Sequence, residues 1–368
     1  MKEDINIQTL RDWLDSNQPV TVLDIRSQQD REQWSIPGSL HVDAYDELRA
    51  GRPGPLAGLT FPADAPIVTI CNAGRISRVA AEVLRERGLN AASLEGGMKA
   101  WSPAWNMAEV PLGIDNVSVL QVRRTGKGCL SYIVGSDREA AVIDASLPPE
   151  VYTGIASERG WRIRFVLDTH VHADHLSRSR SLAALAGALP FLPPQQRVRF
   201  PFHPVDSDRL IRFGAAELRV IPTPGHTPES VTYSLNGAAL FTGDTLFLAG
   251  VGRPDLHTDE AGARRRISVL YNSLRALLTI DPAAAVLPGH VSEPIPFDRR
   301  PISATLAEVS ARVSPWLADE ESFAARLLKA IPLTPPNYER IIELNEAGVL
   351  PENDPTDLEA GANRCAIS

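Results

Sequence analysis

Three histidines packed into six residues, His170-Val171-His172-Ala173-Asp174-His175, constrain this chain more than any other feature. They follow the apolar run 165–167 and Asp168-Thr169, so they read as a loop that leaves a strand and enters a helix. Three later loops, Pro224-Gly225-His226, Gly243-Asp244 and Pro288-Gly289-His290, also follow strand-like runs. Four loops at strand ends can converge on one edge of a sheet assembly. Together they offer five imidazoles and two carboxylates, a donor set that suits first-row metals such as Zn²⁺, Fe²⁺ or Mn²⁺. A single histidine is usually an ordinary surface or core residue. Five of the eight histidines in this pattern are not, and His41, His203 and His257 keep the ordinary reading.

A second chemical signal stands near the N-terminus. Cys71 ends the strand-like run 67–70 and opens Cys71-Asn72-Ala73-Gly74-Arg75-Ile76-Ser77, after which helical spacing begins. Free amide groups and the positive end of a helix dipole favour an anion at that point, and a thiol held there becomes a thiolate nucleophile. Gly74 lets the loop curl, Arg75 adds positive charge, and Ser77 falls where related phosphate-cleaving loops carry arginine. The loop therefore suits a sulfane sulfur better than a phosphate ester.

At 368 residues the chain is long enough for two or three domains. Segment 1–105 alternates strand and helix signals and predicts a small parallel α/β domain. The proline-containing stretch 106–112 reads as a linker. A strand-rich domain follows over 113–300, with strand candidates at 130–134, 140–143, 165–167, 218–221, 231–235 and 239–241. Residues 259–278 predict an amphipathic helix capped by Thr258 or Asp259. The remainder, 301–368, predicts a helical extension packed on the second domain or on another copy of the chain, with a lid over the metal loops as an option. Its last dozen residues are expected to be loosely ordered. The net charge of −8 argues against phosphate-backbone binding, hence against nucleic-acid partners. No run approaches the ~20 apolar residues of a membrane span, and three scattered cysteines form no disulfide framework. A soluble cytoplasmic protein is expected. Cys129 is expected to be core filler, Cys365 to be exposed, and Trp101 and Trp105 to pack between domains.

Residues 1–105 resemble the rhodanese family. Leu23-Asp24-Ile25-Arg26, Ile36-Pro37-Gly38-Ser39, the Cys71 loop and Leu94-Glu95-Gly96-Gly97-Met98-Lys99-Ala100-Trp101 match it in order. The resemblance implies a sulfurtransferase in which Cys71 carries a persulfide, with Arg75 assisting and Gly74 and Ser77 lining the substrate position. Asp24 and Arg26 are expected to form a structural ion pair. Trp34-Ser35 stands where the family often has Gly-His.

The histidine loops resemble the metallo-β-lactamase superfamily, which implies an αββα sandwich with metal at one edge. Two enzyme readings compete. A dinuclear zinc hydrolase of the glyoxalase II type would place His170, His172 and His226 on one ion and Asp174, His175 and His290 on the other, with Asp244 bridging. A dioxygenase would hold one Fe(II) through His170, His226 and Asp244, leaving His172, Asp174, His175 and His290 as orienting groups. The stretch Gly250-Val251-Gly252-Arg253-Pro254-Asp255 resembles persulfide dioxygenases, and Arg253 is expected to hold a substrate carboxylate, or else to pair with Asp255. Such an enzyme converts a thiol persulfide and O₂ to sulfite, which a rhodanese can turn to thiosulfate. That shared chemistry favours the dioxygenase, with zinc as the alternative metal. A sulfur carrier or sensor would load one sulfane sulfur and stop, and the complete metal set argues against it. The thiol carrier and the number of chains in the assembly stay open.

Overall fold

The computed structural model describes residues 4–62, 64–359, 361 and 363–367. The first unit runs β1 (Asp4–Ile5), α1 (Ile7–Asp15), β2 (Thr21–Asp24), α2 (Gln28–Gln33), β3 (Leu40–His41), α3 (Tyr45–Arg49), β4 (Ile67–Ile70), α4 (Arg75–Glu86), β5 (Ala91–Leu94) and α5 (Gly97–Trp101). Its strands form a parallel sheet in the order β1-β5-β4-β2-β3. β4 is buried at every residue, as its unbroken Ile67-Val68-Thr69-Ile70 run requires of a strand covered on both faces. The expected pair forms: Arg26 meets Asp24 at 2.7 Å, both buried. Burial works against the Asp24 charge, but Arg26 and Arg31 hold its carboxyl below the usual range.

The second unit begins earlier than the sequence suggests. Residues read as linker form β6 (Asn106–Val110), paired along its length with β7 (Val117–Arg123). Only Val110, Ala108 and Asn106 face inward there, and so short an alternation beside Pro111 gives little strand signal. β8 (Leu130–Ser136), β9 (Glu139–Ile143), α6 (Pro149–Glu158), β10 (Arg162–Leu167), α7 (Ser179–Ala186), β11 (Leu189–Leu192) and β12 (His203–Pro204) complete one sheet in the order β12-β11-β10-β9-β8-β7-β6. The facing sheet comes from β13 (Leu210–Phe213), β14 (Ala216–Pro222), β15 (Val231–Leu235), β16 (Ala239–Gly243), β18 (Ala285–Pro288) and β19 (Ala304–Thr305), in chain order apart from one excursion. That excursion holds β17 (Val251–Gly252) and α8 (Glu260–Leu277), whose first turn is capped by Asp259 accepting from Gly262 N at 2.7 Å.

The core fixes the layers. Leu130, Val134, Ile143, Leu218, Tyr233 and Phe241 fill the space between the two sheets. Tyr152, Ile155 and Leu182 bring α6 and α7 onto the outer face of one sheet. Ile267, Leu270 and Leu274 bring α8 onto the other, which makes the expected αββα sandwich.

The C-terminal extension comprises α9 (Leu306–Val313), α10 (Glu320–Ala330), α11 (Tyr338–Ala347), α12 (Thr356–Glu359) and β20 (Ala366–Ile367). Val309, Phe323 and Leu327 join the α8 core. The last residues differ from expectation. β20 pairs antiparallel with β17, and Cys365 is fully buried rather than exposed. The polar composition of this segment hid these ties because its contacts are with residues far away in sequence. Among the described residues no helix is long and apolar enough to cross a membrane.

The two units share a tight junction. Trp101 packs against Phe297, with ring centroids 6.2 Å apart. Trp34 donates from Nε1 to Thr125 O at 3.0 Å. A Cβ on Gly126 would stand 2.1 Å from Trp101 O, so only glycine allows the backbones so close.

Candidate active sites

Cys71 is buried at the end of β4, with Sγ 3.3 Å from Ser77 Oγ, which in turn lies 2.9 Å from Ser93 Oγ. Gly74, at φ +80°, is the residue from which α4 springs, so the cysteine loop curls over a helix N-terminus as expected. Arg75 opens that helix and is exposed. A structural role for Gly96-Gly97 was hidden in the sequence. Met98 N and Lys99 N donate to Cys71 O and Asn72 O at 2.9 and 3.0 Å. A Cβ on Gly97 would stand 2.2 Å from Cys71 O, at a φ of +58° that side chains rarely adopt. The glycine pair is thus the surface on which the cysteine loop rests. Beside it a cleft of about 250 Å³ is lined by Asn72, Met98 and Lys99 from the first unit, Gly126 from the second and Gly361 from the C-terminal segment.

The histidine loops converge as the spacing predicts. All five of their histidines, with Asp174 and Asp244, are buried. Hydrogen bonds fix the ring tautomers. His226 Nδ1 lies 2.8 Å from Arg253 O, and a carbonyl can only accept, so Nδ1 carries the proton and Nε2 a lone pair. Thr169 Oγ1 donates its one hydrogen to Asp144 Oδ2, so it accepts from His170 Nδ1 at 2.9 Å, with the same result. His290 Nδ1 meets Asp244 Oδ1 at 2.8 Å. The atoms left over, His170 Nε2, His226 Nε2 and Asp244 Oδ2, are buried without a hydrogen-bond partner. Both nitrogens lie 3.7 Å from that oxygen. Three buried lone pairs facing one another without a partner need a cation, so the residues fit a metal ion.

Electrostatics agree. Burial is the main cause that lowers His170 and His226, keeping them neutral. Burial opposes the Asp244 charge, yet His290, hydrogen-bonded to Oδ1, holds it below the usual carboxylate range.

The remaining candidates divide. His172 turns Nε2 away to Asp144 Oδ1 at 3.2 Å, with Asp168 Oδ1 at 4.0 Å. Burial opposes its charge, but Asp144 and Asp168 outweigh burial and raise it to about 10. Asp174 accepts from His175 Nδ1 at 3.0 Å through one oxygen and from Asn363 Nδ2 at 2.5 Å through the other. His175 Nε2 and His290 Nε2 are buried and unpartnered.

Arg253 takes the second of its two readings, the pair with Asp255. Its guanidinium is fully buried, pairs with Asp255 at 2.8 Å and donates to Leu333 O and Arg364 O at 3.1 Å each. It is therefore not free to hold a substrate carboxylate; it reaches the site through its carbonyl, which orients His226. Cys129 is buried as expected, but its thiol faces the site, 3.5 Å from Asp174 Oδ2.

Several positioning residues carry no sequence motif. Asn345 Nδ2 donates to His172 O and His175 O at 2.8 Å each, so α11 grips the histidine loop. Glu359 accepts from Leu176 N at 2.7 Å and pairs with Arg124 and Arg178 at 3.2 Å each. Arg124 also donates to Ser102 O at 2.9 Å. One buried network therefore joins the end of the first unit, the histidine loop and the C-terminal segment. The extension covers the metal loops, as one of the options read from the sequence.

A small parallel-sheet unit with a cysteine loop at a helix N-terminus and an αββα unit with a buried histidine-aspartate cluster define the classes to which the two halves belong. Residues 6–104 match the Rhodanese-like domain and residues 124–290 the Metallo-beta-lactamase superfamily. The chain is a rhodanese-like domain joined to a metallo-β-lactamase-superfamily domain. It is 34% identical over 46% of its length to a hydroxyacylglutathione hydrolase of Anaeromyxobacter dehalogenans. It is 32% identical over 44% of its length to the mitochondrial persulfide dioxygenase ETHE1 of Homo sapiens. It spans 63% of the length of each of these curated relatives. Among solved structures, ETHE1 from Myxococcus xanthus matches with a TM-score of 0.53 and 29% identity, covering 62% of this chain and 97% of that one. A metallo-beta-lactamase from Staphylococcus aureus matches with a TM-score of 0.57 and 25% identity, covering 64% and 74%.

Proposed function

We propose that this chain is a persulfide dioxygenase fused to a sulfurtransferase. The observation that carries the reading is the division of the donor atoms. His170, His226 and Asp244 keep one lone pair each for a single ion. Asp174, which a dinuclear hydrolase needs as a ligand, is engaged through both oxygens by His175 and Asn363, and His172 gives its Nε2 to Asp144. The similarity to ETHE1 in sequence and fold supports it. A ferrous ion on such a two-histidine, one-carboxylate face supplies positions at which oxygen and a substrate sulfur can meet.

The chain's own residues do the rest. Thr169 and Arg253 O fix the two imidazoles that face the ion, Asp244 Oδ1 holds His290, and Asn345 holds the loop that bears His172 and His175. A cleft of about 450 Å³, lined by Phe247, Ile295, Pro296 and Ala366, reaches His290 and gives a thiol persulfide an apolar approach. In the other domain the Cys71 thiolate attacks a sulfane sulfur. A Cys71 Sγ–S bond forms, the donor's S–S bond breaks, and a thiol leaves after taking a proton. Sulfite then attacks the outer sulfur, so thiosulfate departs and Cys71 is restored as a thiolate.

Two observations favour a zinc thioesterase instead: the chain is as similar to a hydroxyacylglutathione hydrolase as to ETHE1, and His175 Nε2 and His290 Nε2 are also free and buried, as a second ion would need. Assaying one preparation against glutathione persulfide and against a glutathione thioester decides between them. Oxygen consumption with the persulfide and negligible thioester hydrolysis is expected; the reverse pattern overturns the proposal.

A further inference from the structure

The C-terminal segment brings a sulfur atom to the metal cluster. One ligand atom each from Cys365, His290 and Asp244 lie within 4.8 Å of one another, and all three residues are buried. Asp244 Oδ2, the oxygen that faces His170 and His226, has no partner. Cys365 is held in place from several sides. Arg253 N donates to its carbonyl at 2.9 Å, its own N–H donates to Asn363 Oδ1 at 3.1 Å, and β20 pairs with β17 directly after it. Asn363 in turn donates to Asp174. A thiol fixed this firmly beside the Asp244 carboxylate, whose Oδ2 has no partner, has the preorganisation of a ligand.

We propose that Cys365 is a further ligand to the ion on His170, His226 and Asp244, delivered by the C-terminal strap to the Asp244 side of the cluster. The ion is a divalent first-row metal that accepts both sulfur and imidazole, as iron and zinc do. When it binds, Cys365 loses its S–H proton to solvent and a metal–sulfur bond forms; no electron changes hands. Cys129 is the other thiol in reach, but it points its S–H at Asp174 Oδ2, a carboxylate oxygen already held by Asn363. The assignment rests on the metal cluster and holds for an oxygenase or a hydrolase alike. It also makes the strap a part of the site, since Ala366 lines the cleft that reaches His290.

The test uses the full chain stripped of metal and reloaded with Co²⁺. Cobalt bound to a thiolate gives an intense near-ultraviolet charge-transfer band that nitrogen and oxygen ligands do not. The band is expected in the unsubstituted protein and in Cys129→Ser. It should vanish in Cys365→Ser and Cys365→Ala while the visible cobalt bands remain. Loss of cobalt to a chelator should then be faster by on the order of tenfold. A band that survives in both Cys365 variants, or is missing from the unsubstituted protein with cobalt bound, overturns the assignment. Failure to bind cobalt at all overturns the metal cluster with it. Thioester hydrolysis in place of oxygen uptake would refute the proposed function and leave the band intact.

Discussion

Replacing Glu359 by Gln removes the one carboxylate on which Arg124, Arg178 and the Leu176 amide converge. All three charged side chains are buried, at 2%, 2% and 5% exposure for Glu359, Arg124 and Arg178. Burial alone would raise the Glu359 pKa, yet the two arginines lower it from its ordinary 4.5 to about 2. At 1.36 kcal/mol per pKa unit that is about 3 kcal/mol of stability at neutral pH. Breaking a buried ion pair from one side costs about 3–5 kcal/mol by an independent route. The folded pKa is depressed, so the contribution is complete above about pH 4.5 and fades as pH falls toward 2. Urea unfolding of both proteins should therefore differ by about 3 kcal/mol at pH 7, with the difference shrinking below pH 4.5. The variant should also release metal faster, because Glu359 fixes the backbone next to His175. A difference under about 1 kcal/mol at pH 7, or one that stays constant down to pH 3, would refute the reasoning.

Other expectations follow from the two sites. Cys71→Ser should abolish thiosulfate formation and leave metal content and oxygen uptake unchanged; loss of both activities would contradict independent sites. Gly97→Ala should nearly eliminate sulfur transfer with Cys71 intact, since its Cβ would sit 2.2 Å from Cys71 O; a variant retaining most of the transfer rate would count against the packing argument. His226→Ala should lose the metal. His172→Ala should keep one ion per chain at saturation, with affinity weakened by about 10–100-fold; equal loss in both, read by metal titration, would return His172 to the ligand set.

The chemistry of this chain was legible where it is local. Cys71 through Ser77 is a continuous loop, and His170 through His175 is a six-residue signature whose composition has few other uses. The αββα layers followed from strand runs such as 231–235, buried at every residue. What stayed hidden acts at long range or through the backbone. Asn345 and Glu359 reach the histidine loop from over a hundred residues away, Cys365 reaches Asp244 and His290 from a distant strap, and nothing in their own neighbourhoods marks them. Arg253 stood out by its charge, but its carbonyl is the atom that matters to His226. Asp144 gave no signal at all, yet it anchors Thr169 and draws His172 away from the cluster. Residues 106–110 lacked the length and alternation that identify a strand, and pairing with β7 decides their state.

The central claim is that one ion sits on His170, His226 and Asp244. Metal analysis of protein purified without oxygen, coupled to oxygen consumption and sulfite release on glutathione persulfide, tests it most directly. The account predicts one iron per chain and one sulfite formed for each O₂ taken up. Two zinc ions per chain, with no oxygen consumed, would contradict it.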